Sequence, residues 1–210
     1  MLKTARKTSK RSPFFLFPFT LFLVFLFSFS WVSAKEAPKP KPQPWQINGI
    51  LAALDDGYPQ VQQLAFNKLA EYEAKDLKAV LKKPEDIAYK AAKILKDEKV
   101  DADVRGRAAV ALGNLGEAGA KYAPEILNIL KDEKVNFNVR GSAAVALGNL
   151  GEAGAKYAPE ILNFLKDEKV NANIRGSAAV ALGNLGEAGA KYAPEILNFL
   201  KDEKVNANIR

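Results

Sequence analysis

Apolar residues in the C-terminal half of the chain recur at helical spacing. A first helix is predicted over 155–166, since its apolar residues fall at i, i+4, i+5 and i+8: Tyr157, Ile161, Leu162 and Leu165. A second helix is predicted over 173–185, with Asn173 as its N-cap. Its expected buried face consists of Ile174, Ala178, Ala181, Leu182 and Leu185. The charged link at 166–169 is short, so the two helices should be antiparallel neighbours.

This helix pair is repeated along the chain. Residues 139–173 recur at 174–208, and the only change is Ile174 in place of Val139. The preceding copy, 104–138, differs from 139–173 at three positions: Arg107 for Ser142, Ile129 for Phe164 and Phe137 for Ala172. A 35-residue period with two helices per unit indicates a helical solenoid, in which each unit packs against its neighbours.

Glycines interrupt the predicted second helix at Gly176 and Gly183. Each lowers the intrinsic helix stability by up to ~1 kcal/mol, which is tolerable where neighbouring helices pack very closely. We favour this packing role over a phosphate-binding loop. The segment at 113–116 has neither the Lys-Ser/Thr pair nor the preceding strand that such a loop requires.

The first 34 residues have the layout of a secretory signal peptide. A basic stretch ends at Arg11, an apolar run extends from Phe14 to about Val32, and small residues lead to an expected cleavage site after Ala34. An uncleaved membrane anchor is the alternative, because the run approaches the ~20 residues that span a bilayer. Export to a periplasm, lumen or extracellular space is therefore predicted, with membrane contact only during export or if the signal is uncleaved.

Composition excludes several functions. The sequence has no cysteine and no histidine, which excludes thiolate and imidazole metal sites, disulfides, and Ser-His or Cys-His catalysis. The leader carries five basic residues and no acidic one, so the net charge falls from +7 to +2 when it is removed. This near-neutral remainder does not predict a nucleic-acid partner. Alternating prolines make 35–45 an extended linker.

The repeats resemble the HEAT repeat family, in particular its short phycobilisome-lyase-type form. The likeness rests on Pro124 to Leu127 in the first helix, Asp132 after it, and the run from Val139-Arg140 to Gly151. Residues 46–103 resemble degenerate N-terminal units, with Gln62 where the family has arginine and an extra segment at 73–86. The resemblance implies an all-α fold, a right-handed α-solenoid of antiparallel helix pairs, with near-identical units over 104–210.

The same resemblance implies an Asp–Arg ladder between units. Arginine in the first turn of a helix is unfavourable to the helix dipole, so a structural partner would explain its recurrence. The residues of this predicted ladder are Asp97, Arg105, Asp132, Arg140, Asp167 and Arg175. An arginine row that captures anionic ligands is the alternative.

In the family the second helices line the concave surface, so their outward residues are the candidate partner-binding positions. They form a smooth strip of small residues with a row of asparagines, suited to an extended peptide or a helix. The strip comprises Arg107, Val110, Asn114, Ser142, Val145, Asn149, Ser177, Val180 and Asn184. Arg107 interrupts the repetition and is the strongest single candidate.

Two functions compete. The first is an exported, non-catalytic scaffold without cofactors that binds a protein partner. The second follows the phycobilisome-lyase resemblance: an enzyme or chaperone that handles a tetrapyrrole or its carrier protein. We favour the first, because near-identical repeats offer no unique catalytic constellation. The sequence stops within a unit, at Asn208-Ile209-Arg210, so a longer natural array, or self-association through an uncapped last repeat, is also expected.

Overall fold

The computed structural model describes residues 41–72, 74–81 and 83–202. These residues contain helices and no strand. Within them no helix is long and apolar enough to cross a membrane. The predicted signal peptide and its cleavage site lie outside the described residues, as do the last eight positions.

Twelve α-helices and one 3-10 helix follow each other along the described residues. The first six are α1 (Pro44–Leu54), α2 (Pro59–Ala70), α3 (Ala74–Val80), α4 (Pro84–Lys96), α5 (Ala102–Asn114) and α6 (Glu117–Ala120). The next are α7 (Ala123–Lys131), α8 (Phe137–Asn149), the 3-10 helix η1 (Gly151–Tyr157) and α9 (Ala158–Lys166). The last are α10 (Ala172–Asn184), α11 (Glu187–Ala190) and α12 (Ala193–Lys201).

The helices pack in the predicted pairs. Helices α4 and α5, α7 and α8, and α9 and α10 pack on each other as the first and second helices of successive units. Helices α1 and α2 form an additional pair at the N-terminal end, and α3 follows that pair along the chain. The chain is thus an all-α helical-repeat protein over its described residues.

Second helices pack directly on one another. Contacts between α5 and α8, and between α8 and α10, are far more extensive than those between successive first helices. Glycine makes this approach possible. A Cβ atom on Gly113 would lie 2.7 Å from the carbonyl oxygen of Ala146, and one on Gly148 would lie 2.6 Å from the Cα atom of Ala181. At the same position in α10, a Cβ atom on Gly183 would meet nothing within 4 Å among the described residues.

The apolar faces predicted from spacing form the core. The five residues predicted to form the buried face of the second helix are all buried: Ile174, Ala178, Ala181, Leu182 and Leu185. Tyr157, Ile161 and Leu165 are buried as well, while Leu162 is only partly covered. Repetition of this pattern produces one continuous cluster that begins at Ile47 and ends at Phe199.

Three local features differ from the sequence-based expectations. The N-cap of α10 is Asn171, whose side chain accepts a 2.8 Å hydrogen bond from the backbone N–H of Asn173. Glu187–Ala190, where no helix is predicted, forms a turn of helix that follows Gly186. Helix α1 begins at Pro44, inside the predicted linker, because proline is well tolerated in the first turn of a helix.

Each short helix or 3-10 turn between units depends on two glycines. Gly116, Gly151 and Gly186 all have φ between 56° and 58°, a conformation that L-residues with a side chain rarely adopt. Three residues later, a Cβ atom on Gly154 would lie 2.0 Å from the carbonyl oxygen of Leu147. The chain therefore reverses tightly against the end of each second helix.

Candidate partner-binding surface

The nine predicted partner-binding positions share one side of the second helices, and we refer to them as the second-helix strip. None of them is buried. Arg107, Val180 and Asn184 are exposed, and the other six are partly exposed. The strip is thus accessible to a ligand, whereas binding itself stays a prediction.

The asparagines of the strip bond to one another. The side-chain Nδ2 of Asn149 donates to Oδ1 of Asn114 at 2.9 Å, and Nδ2 of Asn184 donates to Oδ1 of Asn149 at 2.7 Å. This amide ladder connects three consecutive second helices across the 35-residue period. Each amide still has a second N–H and a second lone pair to offer a ligand backbone.

Arg107 lies at a groove of about 360 Å³ where the regular repeats meet the N-terminal pair. Four members of the second-helix strip line it: Arg107, Val110, Asn114 and Ser142. Its apolar floor comes from α2, from α3 and from the residue that follows α5, and it includes Phe66, Leu69, Leu77 and Leu115. The groove therefore combines an apolar base with a charged and amide-bearing rim.

The groove exists because the repetition breaks at this junction. In the regular units a serine occupies the Arg107 position, and its hydroxyl lies against a glycine of the preceding second helix. A Cβ atom on Gly106, for example, would lie 2.9 Å from Oγ of Ser142. Arg107 instead extends to α2, where its Nη1 donates to Oδ1 of Asn67. Sequence reasoning identified Arg107 and missed Asn67 and Leu77, whose segments carry no repeat to indicate their position.

The predicted Asp–Arg ladder is corrected in its partners. The Nε atoms of Arg105, Arg140 and Arg175 donate to the carbonyl oxygens of Leu95, Leu130 and Leu165 at 2.9 Å, 2.9 Å and 3.0 Å. Each of these leucines lies in the last turn of the first helix of the same unit, where carbonyls lack helical partners. The arginines therefore bind main chain within a unit.

The aspartates of that predicted ladder have a different role. Oδ1 of Asp97, Asp132 and Asp167 accepts a hydrogen bond from the backbone N–H two residues later, at 3.0 Å, 2.9 Å and 2.9 Å. These bonds hold the turn between the two helices of each unit. No ion pair found within the described ranges joins one of these aspartates to a repeat arginine.

A second groove, of about 680 Å³, lies between α1 and α2. Its rim carries two exposed apolar side chains, Trp45 at 72% and Leu64 at 67% exposure. The Nζ of Lys68 lies 2.7 Å from a carboxylate oxygen of Glu71 at the same rim, and the hydrogen bond and charge of Glu71 raise the pKa of Lys68 above its ordinary value. Over the described residues no cluster of three or more acidic side chains is arranged to hold a metal ion.

The repeat geometry defines this chain as a helical-repeat protein, and comparison with known families specifies the class. Residues 104–132, 139–167 and 174–202 each match the family model described as PBS lyase HEAT-like repeat. Among curated proteins no match to the chain is found. These three segments are similar to the HEAT-like repeat family, as the sequence pattern predicted.

Proposed function

We propose that this protein is an exported, non-catalytic scaffold that binds a protein partner along the second-helix strip of a right-handed solenoid. The observation that carries the proposal is the groove at Arg107, which joins an apolar floor to the polar strip in one accessible surface. A clustered apolar base with a polar rim is the usual anatomy of a protein-binding site.

The packing of the helices supports the second-helix side as the binding face. Second helices approach each other closely at glycine, while first helices make sparse contacts with their successors. A stack whose elements are closer on one side curves toward that side, so the second helices would line a concave surface. Concave surfaces of repeat proteins are their common binding faces.

The strip gives the proposal a direct test. A photoreactive amino acid at Val180, which is 52% exposed on α10, is expected to crosslink a partner in the exported fraction. The matched control is Asn163 on α9, which is exposed on the other helix of the same unit. Equal adducts from both positions, or none from Val180, would contradict a partner on the strip.

Export is tested separately, at the N-terminus. We expect the mature protein to begin at Lys35, because small residues precede Ala34 as a signal peptidase requires. N-terminal sequencing of material from the exported fraction measures this directly. Recovery of residues 1–34 on that material would replace the soluble exported protein with the membrane-anchored alternative.

A tetrapyrrole-handling role is the second candidate, favoured by the description of the matching family as a PBS lyase repeat. The chain has no cysteine or histidine with which to hold such a ligand covalently or by imidazole. The absorbance spectrum of a bilin should therefore stay the same when the protein is added. A shifted spectrum that depends on the second-helix strip would favour this candidate over the scaffold.

A further inference from the structure

We infer that the groove at Arg107 receives the C-terminal end of a partner polypeptide, with the terminal carboxylate on Arg107 and an apolar last side chain on the floor. The inference rests on the proposed function and specifies the chemistry of the partner. It is carried by the charge and the shape of this junction.

The guanidinium of Arg107 is available to an anion. It makes one hydrogen bond, to Oδ1 of Asn67, and no other partner for its N–H groups is found among the described residues. Asp103, one turn earlier on α5, also lines the groove but forms no ion pair with Arg107 within the described ranges. A guanidinium with unused N–H donors favours a carboxylate, because two of those donors match the two carboxylate oxygens.

The apolar floor lies in the same small groove. Val110 and Leu115 are partly exposed and offer apolar surface to a ligand, while Phe66, Leu69 and Leu77 line the same groove but are nearly inaccessible to solvent. A volume of about 360 Å³ is at the low end of the ~300–1,000 Å³ range of ligand pockets. The ligand must therefore present its carboxylate and its apolar group close together.

A chain terminus meets this requirement, because its carboxylate and its last side chain are attached to the same Cα atom. An internal Asp or Glu carries its carboxylate on a different residue from the apolar side chain, and both chain directions would have to pass through the groove. The amides of Asn67 and Asn114 at the rim can bond the preceding backbone. Asp103 disfavours ligands with further negative charges near the terminus.

The repeats supply a matched variant. Arg107→Ser installs the residue found at 142 and 177, so it removes the charge in a sequence context that folds in two other units. Two hexapeptide pools serve as probes, randomised at the first five positions and ending in Leu, Ile, Val or Phe. One pool has a free C-terminal carboxylate and the other a C-terminal amide. Peptides retained by the purified full chain are identified by mass spectrometry, and their affinities are measured by fluorescence anisotropy.

We expect enrichment from the free-acid pool alone, and at least about a tenfold loss of affinity in Arg107→Ser or on amidation. That is the minimum for a lost charge-assisted hydrogen bond of ~1.5 kcal/mol or more. Enrichment of amidated peptides, including Asp- or Glu-bearing ones, would overturn the inference, as would unchanged affinity in Arg107→Ser or no enrichment from either pool. Val180 lies outside the lining of this groove, so crosslinking there reports separately on the proposed function.

Discussion

Gly148→Ala is expected to lower the free energy of unfolding by ~1–3 kcal/mol, the range for overpacking a buried contact. The added methyl group would lie 2.6 Å from both the Cα atom and the carbonyl oxygen of Ala181. These are backbone atoms of α10, so relief requires the two second helices to move apart. The displacement would also weaken the bond between the Asn149 and Asn184 amides, which lies one residue away. Urea denaturation of the purified variant measures the change.

Gly183→Ala is the matched control for that variant. The flanking sequence is identical over more than one helical turn on each side, yet within the described part of the chain a Cβ atom on Gly183 has nothing within 4 Å. Because alanine favours helix over glycine by ~1 kcal/mol, this substitution should leave stability unchanged or raise it. Stability changes of opposite sign at two positions of identical local sequence would demonstrate the close helix contact. Equal shifts of the denaturation midpoint would refute it.

The helix pairs and their buried faces could be predicted from sequence because three near-identical copies reinforce one pattern. Ile161, Leu165 and Leu182 recur at fixed offsets, Ile174 stands where the two earlier copies have valine, and each of the four is fully buried or nearly so. The turns were less predictable. The short helix at Glu187–Ala190 contains glycine and alanine without apolar periodicity, and it depends on the conformation of Gly186 rather than on side-chain pattern.

The candidate site was predictable only in part, and the reason is its position at a break in the repeat. Arg107 could be singled out because serine stands at the same place in both later copies. Asn67 and Leu77 belong to α2 and α3, which have no copy for comparison, so their contribution depends on tertiary packing. The sequence shows that asparagine recurs at one position of the second helices, but spacing alone does not show that the amides form hydrogen bonds with each other.

The partners of the arginine row were predicted by resemblance to the family, and the observed geometry differs. A guanidinium can donate hydrogen bonds either to a carboxylate or to the free carbonyls at a helix end. Arg140 lies in the first turn of its own helix, where the dipole disfavours it, and beside the C-terminal end of α7, where the dipole favours it. Donation to Leu130 thus offsets the unfavourable position in α8.

Arg140→Ala is accordingly expected to lower the free energy of unfolding by ~1–3 kcal/mol, since it leaves a partly buried carbonyl of Leu130 without its donor. Ser142→Ala, in the same helix and only partly exposed, should cost under ~0.5 kcal/mol. Urea denaturation of the two variants gives the comparison. Equal stabilities would show that the Arg140 bond contributes nothing, and would restore an arginine row that is free to capture anions.

A double-mutant cycle with Asp132→Asn decides which partner Arg140 uses. The amide oxygen of asparagine can still accept the 2.9 Å bond from the backbone N–H of Lys134, so this variant removes the charge and keeps the turn. If Arg140 binds the Leu130 carbonyl, the two substitutions share no partner and their effects should add within ~0.5 kcal/mol. An Asp–Arg ladder would instead give a coupling energy of ~1 kcal/mol or more, because either substitution alone would already abolish the pair.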